Sequence, residues 1–119
     1  QKILLVDDDT SLLTLLAIRL RAAGFDIRKA RNGAEALDNA RHEKPQLVIT
    51  DLRMGGMDGM TLFSRLHELY PWLPVIILTA HGSPSEAAAA KRRGAFAYVT
   101  KPFDSKTLLA RIDEALRRC

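Results

Sequence analysis

The sequence predicts an α/β fold of three layers, in which an open, doubly wound sheet of five parallel strands lies between two layers of helices. Two observations carry this prediction. Five short strand-like segments alternate along the chain with five segments of helical periodicity. Most of the strand segments are apolar throughout, which is typical of a parallel sheet covered on both faces. Right-handed crossovers between five such units leave the sheet open, because a closed barrel needs about eight.

The strands are identified by short apolar runs such as ILLV, LVI and VIIL, each followed by polar or turn-forming residues. The second strand segment alternates apolar and polar side chains, which is the period of a strand. The five predicted strands are residues 2–6, 25–30, 46–50, 74–78 and 95–99.

The helices are identified by apolar side chains at helical spacing and by residues that end a helix. Five leucines lie at that spacing in the first segment, which stops at Gly24. The third segment ends before Pro71, and the alanine-rich fourth stops at Gly94. Asp9 and Asp58 directly precede the first and third helices and are expected to cap them. The predicted helices are residues 10–23, 33–41, 59–70, 85–93 and 105–118.

Composition indicates one globular domain, residues 1–119, with 47% hydrophobic and 27% charged residues. The chain begins with Gln1, so we expect it to be part of a longer protein.

No apolar run is long enough to span a bilayer and no signal peptide is recognisable, which favours the cytoplasm. The only cysteine is Cys119, which excludes a disulfide framework. The net charge of +4 is spread over several segments with few aromatic residues, so we expect no direct nucleic-acid binding.

Polar residues follow four of the five predicted strands. Asp7 and Asp8 follow the first strand, Asp51 the third, Thr79 the fourth and Lys101 the fifth. Because ligands of an open parallel sheet bind beyond the carboxyl ends of the strands, these residues are expected to meet at one edge.

Carboxylates gathered at one edge predict a cation site. Two unit charges about 4 Å apart repel by about 4 kcal/mol at an effective dielectric constant of about 20. Oxygen ligands without His or Cys favour a hard cation, and we predict Mg²⁺. Mg²⁺ with Lys101 beside it would bind a phosphoryl group, to which the Thr79 hydroxyl could donate. Asp51 stands alone after its strand and is the best candidate for a nucleophile that forms an aspartyl phosphate, whereas Asp7 and Asp8 suit metal binding.

Several segments together resemble the receiver domain of bacterial two-component response regulators. They are LLVDDD, VITDLRM with GMDG, PVIILTAHG and YVTKPF, and the resemblance covers nearly the whole chain. The motifs DLRM and LTAHG further resemble those in receivers of enhancer-binding transcription activators of the nitrogen-regulator type. The resemblance implies a flavodoxin-like strand order 2-1-3-4-5 and a place at the N-terminal part of a longer regulator.

The resemblance also implies a role for each residue at the acidic edge. Asp51 would accept a phosphoryl group from a phosphohistidine of a sensor histidine kinase. Asp8, Asp51 and the backbone carbonyl of Arg53 would bind Mg²⁺ directly, and Asp7 would assist through water. The domain would then be no independent enzyme, but a phosphoacceptor that assists its own phosphorylation and dephosphorylation.

The remaining implied roles concern contacts with the phosphoryl group and the switch that follows. Thr79 and Lys101 would contact the phosphoryl oxygens, and Thr79 would take part in the switch. A cis peptide bond before Pro102 would direct Lys101 into the site. Tyr98 stands at the aromatic switch position of the family, although a half-buried strand residue is an equally good interpretation of its pattern.

The fourth helix, SEAAAAKRR, has only alanines to pack against the sheet, and alanine buries little apolar area. We therefore expect this helix to be the element that shifts when Asp51 is phosphorylated. Its outer face, with Lys91 and Arg92, would form an output surface together with the fifth strand and with Arg111 and Ile112 of the last helix. The partner at this surface would be a downstream output domain that controls transcription, or a second copy of the chain in a phosphorylation-dependent homodimer.

Two other functions fit part of the sequence. The first is a Mg²⁺-dependent phosphatase of the haloacid-dehalogenase type with Asp7 as its nucleophile, because residues 7–11 partly imitate the Asp-x-Asp-x-Thr pattern. Against it, the threonine comes one place early, a second acidic pair is missing late in the chain, and there is no cap domain. The second is a receiver-like interaction module that never takes up phosphate.

Overall fold

The computed structural model describes residues 1–52, 58–80, 83–101 and 103–117. Within these ranges strands and helices alternate along the chain, and the strands form one five-stranded sheet in the order β2-β1-β3-β4-β5. All four strand pairs are parallel. The predicted fold class and the flavodoxin-like strand order are therefore confirmed. The elements are β1 Lys2–Val6, α1 Thr10–Ala22, β2 Asp26–Ala30, α2 Gly33–His42, β3 Leu47–Thr50, α3 Gly59–Leu69, β4 Val75–Thr79, α4 Pro84–Arg92, β5 Ala97–Thr100 and α5 Ser105–Arg117.

The sheet separates two apolar cores, one on each face. On one face α1 and α5 bury leucine, isoleucine and alanine side chains against the sheet. On the opposite face α2, α3 and α4 cover the other side chains of the same strands, and Phe63 of α3 is the largest fully buried side chain there. Successive residues of a strand face opposite sides, so strands buried on both faces are expected to be mostly apolar. In β1, β3 and β4 the only polar residues are Lys2 at the start of β1 and the threonines that end β3 and β4.

Local hydrogen bonds explain where the helices begin. Asp9 caps α1 by accepting from the backbone N–H of Leu12, and Asp58 caps α3 by accepting from the N–H of Thr61. The expected capping roles of both aspartates are thus confirmed. Ser83 caps α4 and Pro84 is its first residue, so this helix begins one residue earlier than the sequence predicts.

The fifth strand differs most from its predicted bounds, because it begins at Ala97 rather than at residue 95. The backbone N–H of Ala95 donates to the carbonyl of Ala90 at 3.0 Å, so this residue belongs to the turn that closes α4 rather than to the strand. At the other end β5 continues to Thr100, which pairs with Thr79 of β4. The strand therefore carries the chain directly to Lys101.

α4 buries fewer residues than any of the other four helices. It buries only Ala90, whereas α3 buries Leu62, Phe63 and Leu66. An open groove of about 600 Å³ lies between α3 and α4; it is lined by Leu52, Asp58, Met60, Glu86, Ala89, Ala90 and Arg93. The predicted alanine-only contact of α4 with the sheet is confirmed. Among the described helices, none combines the length and the apolar character that a membrane span requires.

Candidate functional site

Three residues of the predicted site are fixed by backbone hydrogen bonds that extend the sheet one residue beyond its strands. The N–H of Asp7 donates to Ala30 at 3.1 Å, which continues the pairing of β1 with β2. The N–H of Asp51 donates to Val6 at 3.1 Å, and the N–H of Lys101 donates to Thr79 at 2.9 Å. All three residues therefore stand directly beyond the ends of strands, at the same edge of the sheet.

The Lys101 ammonium joins the two buried carboxylates. Its Nζ lies 2.8 Å from Asp7 Oδ2 and 3.0 Å from Asp51 Oδ2, although 94 and 50 residues separate Lys101 from the two aspartates. Asp7 is 4% exposed and Asp51 6%, so water screens these ion pairs only weakly. The other oxygen of Asp7 accepts from the N–H of Asp9 at 2.9 Å, which fixes the orientation of the Asp7 carboxylate.

Burial and charge act in opposite directions on these groups. Burial raises the pKa of Asp7 above its usual value, and the hydrogen bond and charge of Lys101 only partly offset this effect. For Lys101, burial alone would lower the pKa, but its hydrogen bonds and charge contacts with Asp7 and Asp51 outweigh it, and the pKa is raised. Lys101 therefore carries its charge at neutral pH. Burial makes the negative charge of Asp7 less favourable than it would be in water.

The other predicted site residues lie around this cluster. Asp8 follows Asp7 in the chain and is exposed to solvent. Thr79 is fully buried at the end of β4, next to the backbone of Lys101. Tyr98 is half-buried on β5 and packs against the core beneath α2, α3 and α4. Arg53 and Pro102, for which the family resemblance implies a metal-binding carbonyl and a cis peptide bond, lie outside the described residues.

The carboxylates at this edge are suitable ligands for a hard cation, but the described residues are not arranged as a complete metal site. Among the described residues, no group of three His, Cys, Asp or Glu side chains is arranged to hold a metal ion. Instead the single ammonium of Lys101 balances two carboxylates, and the carboxylate of Asp8 adds a third negative charge nearby. This excess of negative charge, carried by oxygen atoms alone, suits Mg²⁺. The cation would share Asp51 with Lys101.

Two residues of the site were not recognised in the sequence. Thr50 is fully buried, and its Oγ1 donates to the carbonyl oxygen of Asp51 at 3.0 Å. Gly59, the first residue of α3, is packed so tightly that a Cβ atom there would stand 2.1 Å from the same oxygen. Neither residue has a signal in the sequence that would have identified it as part of the site.

The fold and the site together define a signal-receiving domain whose acidic edge is built around one lysine. The chain belongs to the response regulator receiver domain family, and the match extends over residues 3–113. It is 50% identical over 116 residues to the transcriptional regulatory protein GlrR of Escherichia coli K12, which covers 98% of this chain and 26% of that protein. It is 40% identical over 111 residues to the DNA-binding transcriptional regulator NtrC of the same strain, covering 93% of this chain and 24% of NtrC.

Solved structures agree with this assignment. The receiver domain of NtrX from Brucella abortus is 33% identical, with a TM-score of 0.93 over 98% of this chain and 99% of that one. A CheY-like receiver domain protein from Methanospirillum hungatei is 30% identical, with a TM-score of 0.93 over 99% of this chain and 94% of that one. The predicted resemblance to receivers of the nitrogen-regulator type is confirmed. The phosphatase alternative finds no support in the family, the relatives or the fold. The chain spans about a quarter of the length of the curated relatives named above.

Proposed function

We propose that Asp51 is the phosphoacceptor of this receiver domain. A carboxylate oxygen of Asp51 attacks the phosphorus of a phosphohistidine on a sensor histidine kinase. The new O–P bond forms as the N–P bond breaks, and the histidine nitrogen leaves with the electron pair of that bond. The observation that carries the proposal is the contact of Lys101 Nζ with both Asp51 and Asp7. The ammonium is close enough to Asp51 to stabilise the negative charge on the oxygens of a phosphoryl group transferred there.

The neighbouring residues have separate tasks in this proposal. Lys101 neutralises a phosphoryl oxygen, and the Thr79 hydroxyl donates to another. Asp8, Asp51 and the backbone carbonyl of Arg53 would hold Mg²⁺, and Asp7 would assist through water. Bound Mg²⁺ supplies positive charge that offsets the carboxylates and the incoming phosphoryl group. The role of Arg53 rests on the family resemblance alone.

The proposed context is a longer transcription regulator in the cytoplasm, with this domain as its N-terminal part. The relatives with the names GlrR and NtrC are regulators of transcription, and they support this proposal. The domain has no turnover of its own beyond assisting the arrival and departure of its phosphoryl group. Its partners are a sensor histidine kinase and an output domain or a second copy of the chain.

Phosphorylation is proposed to act on the surface formed by α4, β5 and α5. α4 is suited to move, since it buries only Ala90 and borders the groove of about 600 Å³. Thr79 ends β4, which leads towards α4, and Lys101 follows β5, which leads towards α5, so contacts with a phosphoryl group would act beside the segments that enter both helices. Tyr98 lies on β5, where it pairs with Ile77 of β4.

Amide hydrogen exchange tests this switch. When beryllofluoride occupies Asp51 as a phosphoryl mimic, exchange of residues 86–93 is expected to change about fivefold or more, because coupling between sites typically amounts to about 1–3 kcal/mol. The buried residues of α1 serve as the internal control and should keep their protection. Equal protection of residues 86–93 with and without beryllofluoride would show that α4 is not the moving element.

Incubation with acetyl phosphate and Mg²⁺ tests the proposed function itself. Intact-mass spectrometry is expected to detect one phosphoryl group per chain, stable in acid and labile in base, and none when EDTA removes the metal. Many equivalents of acetyl phosphate hydrolysed without a stable adduct would indicate a phosphatase. No adduct and no hydrolysis would indicate an interaction module that takes up no phosphate.

A further inference from the structure

The peptide group that follows Asp51 is held by two residues that would touch neither metal nor phosphoryl group. The first is Thr50, the last residue of β3, which pairs with Val6 of β1 and Ile77 of β4 and is fully buried. Its Oγ1 donates to the carbonyl oxygen of Asp51 at 3.0 Å. A valine would fill nearly the same space at this position, so the hydroxyl is not needed to pack the strand.

The second residue is Gly59. Its N–H donates to the carbonyl oxygen of Leu52 at 2.7 Å, so the first turn of α3 is bonded to the segment that leaves the site. A Cβ atom at position 59 would stand 2.1 Å from the carbonyl oxygen of Asp51 and 2.7 Å from Cα of Leu52. Among the described glycines only Gly24 and Gly94 have positive φ, so space rather than backbone conformation requires glycine here.

We propose that Thr50 and Gly59 are positioning residues for phosphoryl transfer to Asp51, an inference that rests on the proposed function. The Asp51 N–H is held by Val6, and the Asp51 carbonyl is held by the Thr50 hydroxyl and enclosed by Gly59. With the backbone fixed on both sides, the carboxylate retains only its own side-chain torsions. Its contact with Lys101 Nζ at 3.0 Å then keeps it at the attacking position.

Such positioning should appear in the rate of transfer more than in the binding of the donor. A displacement of about 1 Å at a reacting group can cost about 100-fold in rate. A residue that only stabilises the fold would lower the unfolding free energy and leave the rate of the folded molecules unchanged. The maximal rate of phosphorylation per folded molecule therefore separates the two roles.

The test compares four variants with the wild-type chain, using acetyl phosphate and saturating Mg²⁺ at a temperature at which circular dichroism shows each one folded. Thr50→Val removes the hydroxyl, and Thr50→Ser retains it. Gly59→Ala adds the Cβ atom. Gly94→Ala is the control for lost stability, because its strain arises from a φ of +110° at the amino end of β5, the edge of the sheet opposite Asp51.

Thr50→Val and Gly59→Ala are expected to lower the maximal rate about tenfold or more, with a much smaller change in the acetyl phosphate concentration at half-maximal rate. Thr50→Ser should stay within about twofold of the wild type, and Gly94→Ala should retain the wild-type rate. Should Gly59→Ala fail to fold, the Thr50 pair alone decides. Wild-type rates in Thr50→Val and in folded Gly59→Ala would overturn this inference only. A wild-type chain that takes up no phosphate would overturn the proposed function instead.

Discussion

Replacing Asp51 by asparagine is expected to abolish the uptake of phosphate from acetyl phosphate. An amide cannot form the acyl phosphate, so the phosphorylated fraction should fall at least about 100-fold, to the detection limit. The fold should persist, because the amide oxygen can still accept from Lys101 and one of the two buried carboxylate charges is removed. The measurement is intact-mass spectrometry of the variant and the wild type under identical conditions.

Asp9→Asn is the matched control for this prediction. It removes a carboxylate from the same acidic run, and asparagine caps a helix about as well as aspartate, so α1 should keep its N-terminal hydrogen bond. Asp9→Asn is therefore expected to take up phosphate as the wild type does. Persistent uptake in Asp51→Asn would contradict the assignment of the acceptor, whatever the behaviour of Asp9→Asn.

Replacing Lys101 by methionine is expected to have the second largest effect. Methionine occupies a similar volume but leaves two buried carboxylates without the ammonium between them. Removing one partner of a buried ion pair typically costs about 3–5 kcal/mol, so the free energy of unfolding should fall by about that amount at neutral pH without Mg²⁺. The maximal rate of phosphorylation should fall about 100-fold, since one donor to the transferring group is lost.

Lys106→Met on the exposed side of α5 is the control, and it should change neither quantity appreciably. Denaturant unfolding gives the stability, and intact-mass kinetics give the rate. Mg²⁺ should stabilise Lys101→Met more than the wild type, because the variant has more uncompensated negative charge at this edge. A Lys101→Met chain with the stability and rate of Lys106→Met would contradict the role assigned to this ammonium.

The sequence predicts the fold because each strand carries its own pattern and the order of the sheet follows from the family resemblance. It also predicts the convergence of Asp7, Asp51 and Lys101, because the carboxyl ends of parallel strands share one edge. The caps at Asp9 and Asp58 are predictable for a different reason, since a capping side chain bonds to the helix that directly follows it.

Three features of the structure are not predicted by the sequence, each for its own reason. The early start expected for β5 is wrong because the carbonyl of Ala90 takes the N–H of Ala95. The close approach of Gly59 to Asp51 depends on how α3 lies against the end of β3, which no local pattern contains. The hydrogen bond of Thr50 joins neighbouring residues, yet threonine is so common in strands that its type carries no special signal.

Locating the phosphoryl group on the chain is the most direct test of Asp51 as the phosphoacceptor. Borohydride reduces an acyl phosphate to an alcohol, which marks the phosphorylated aspartate in a peptide map read by mass spectrometry. After incubation with acetyl phosphate and Mg²⁺, we expect the mark at Asp51 and its disappearance when EDTA is present. A mark at Asp7 or Asp8 with Asp51 unmodified would contradict it.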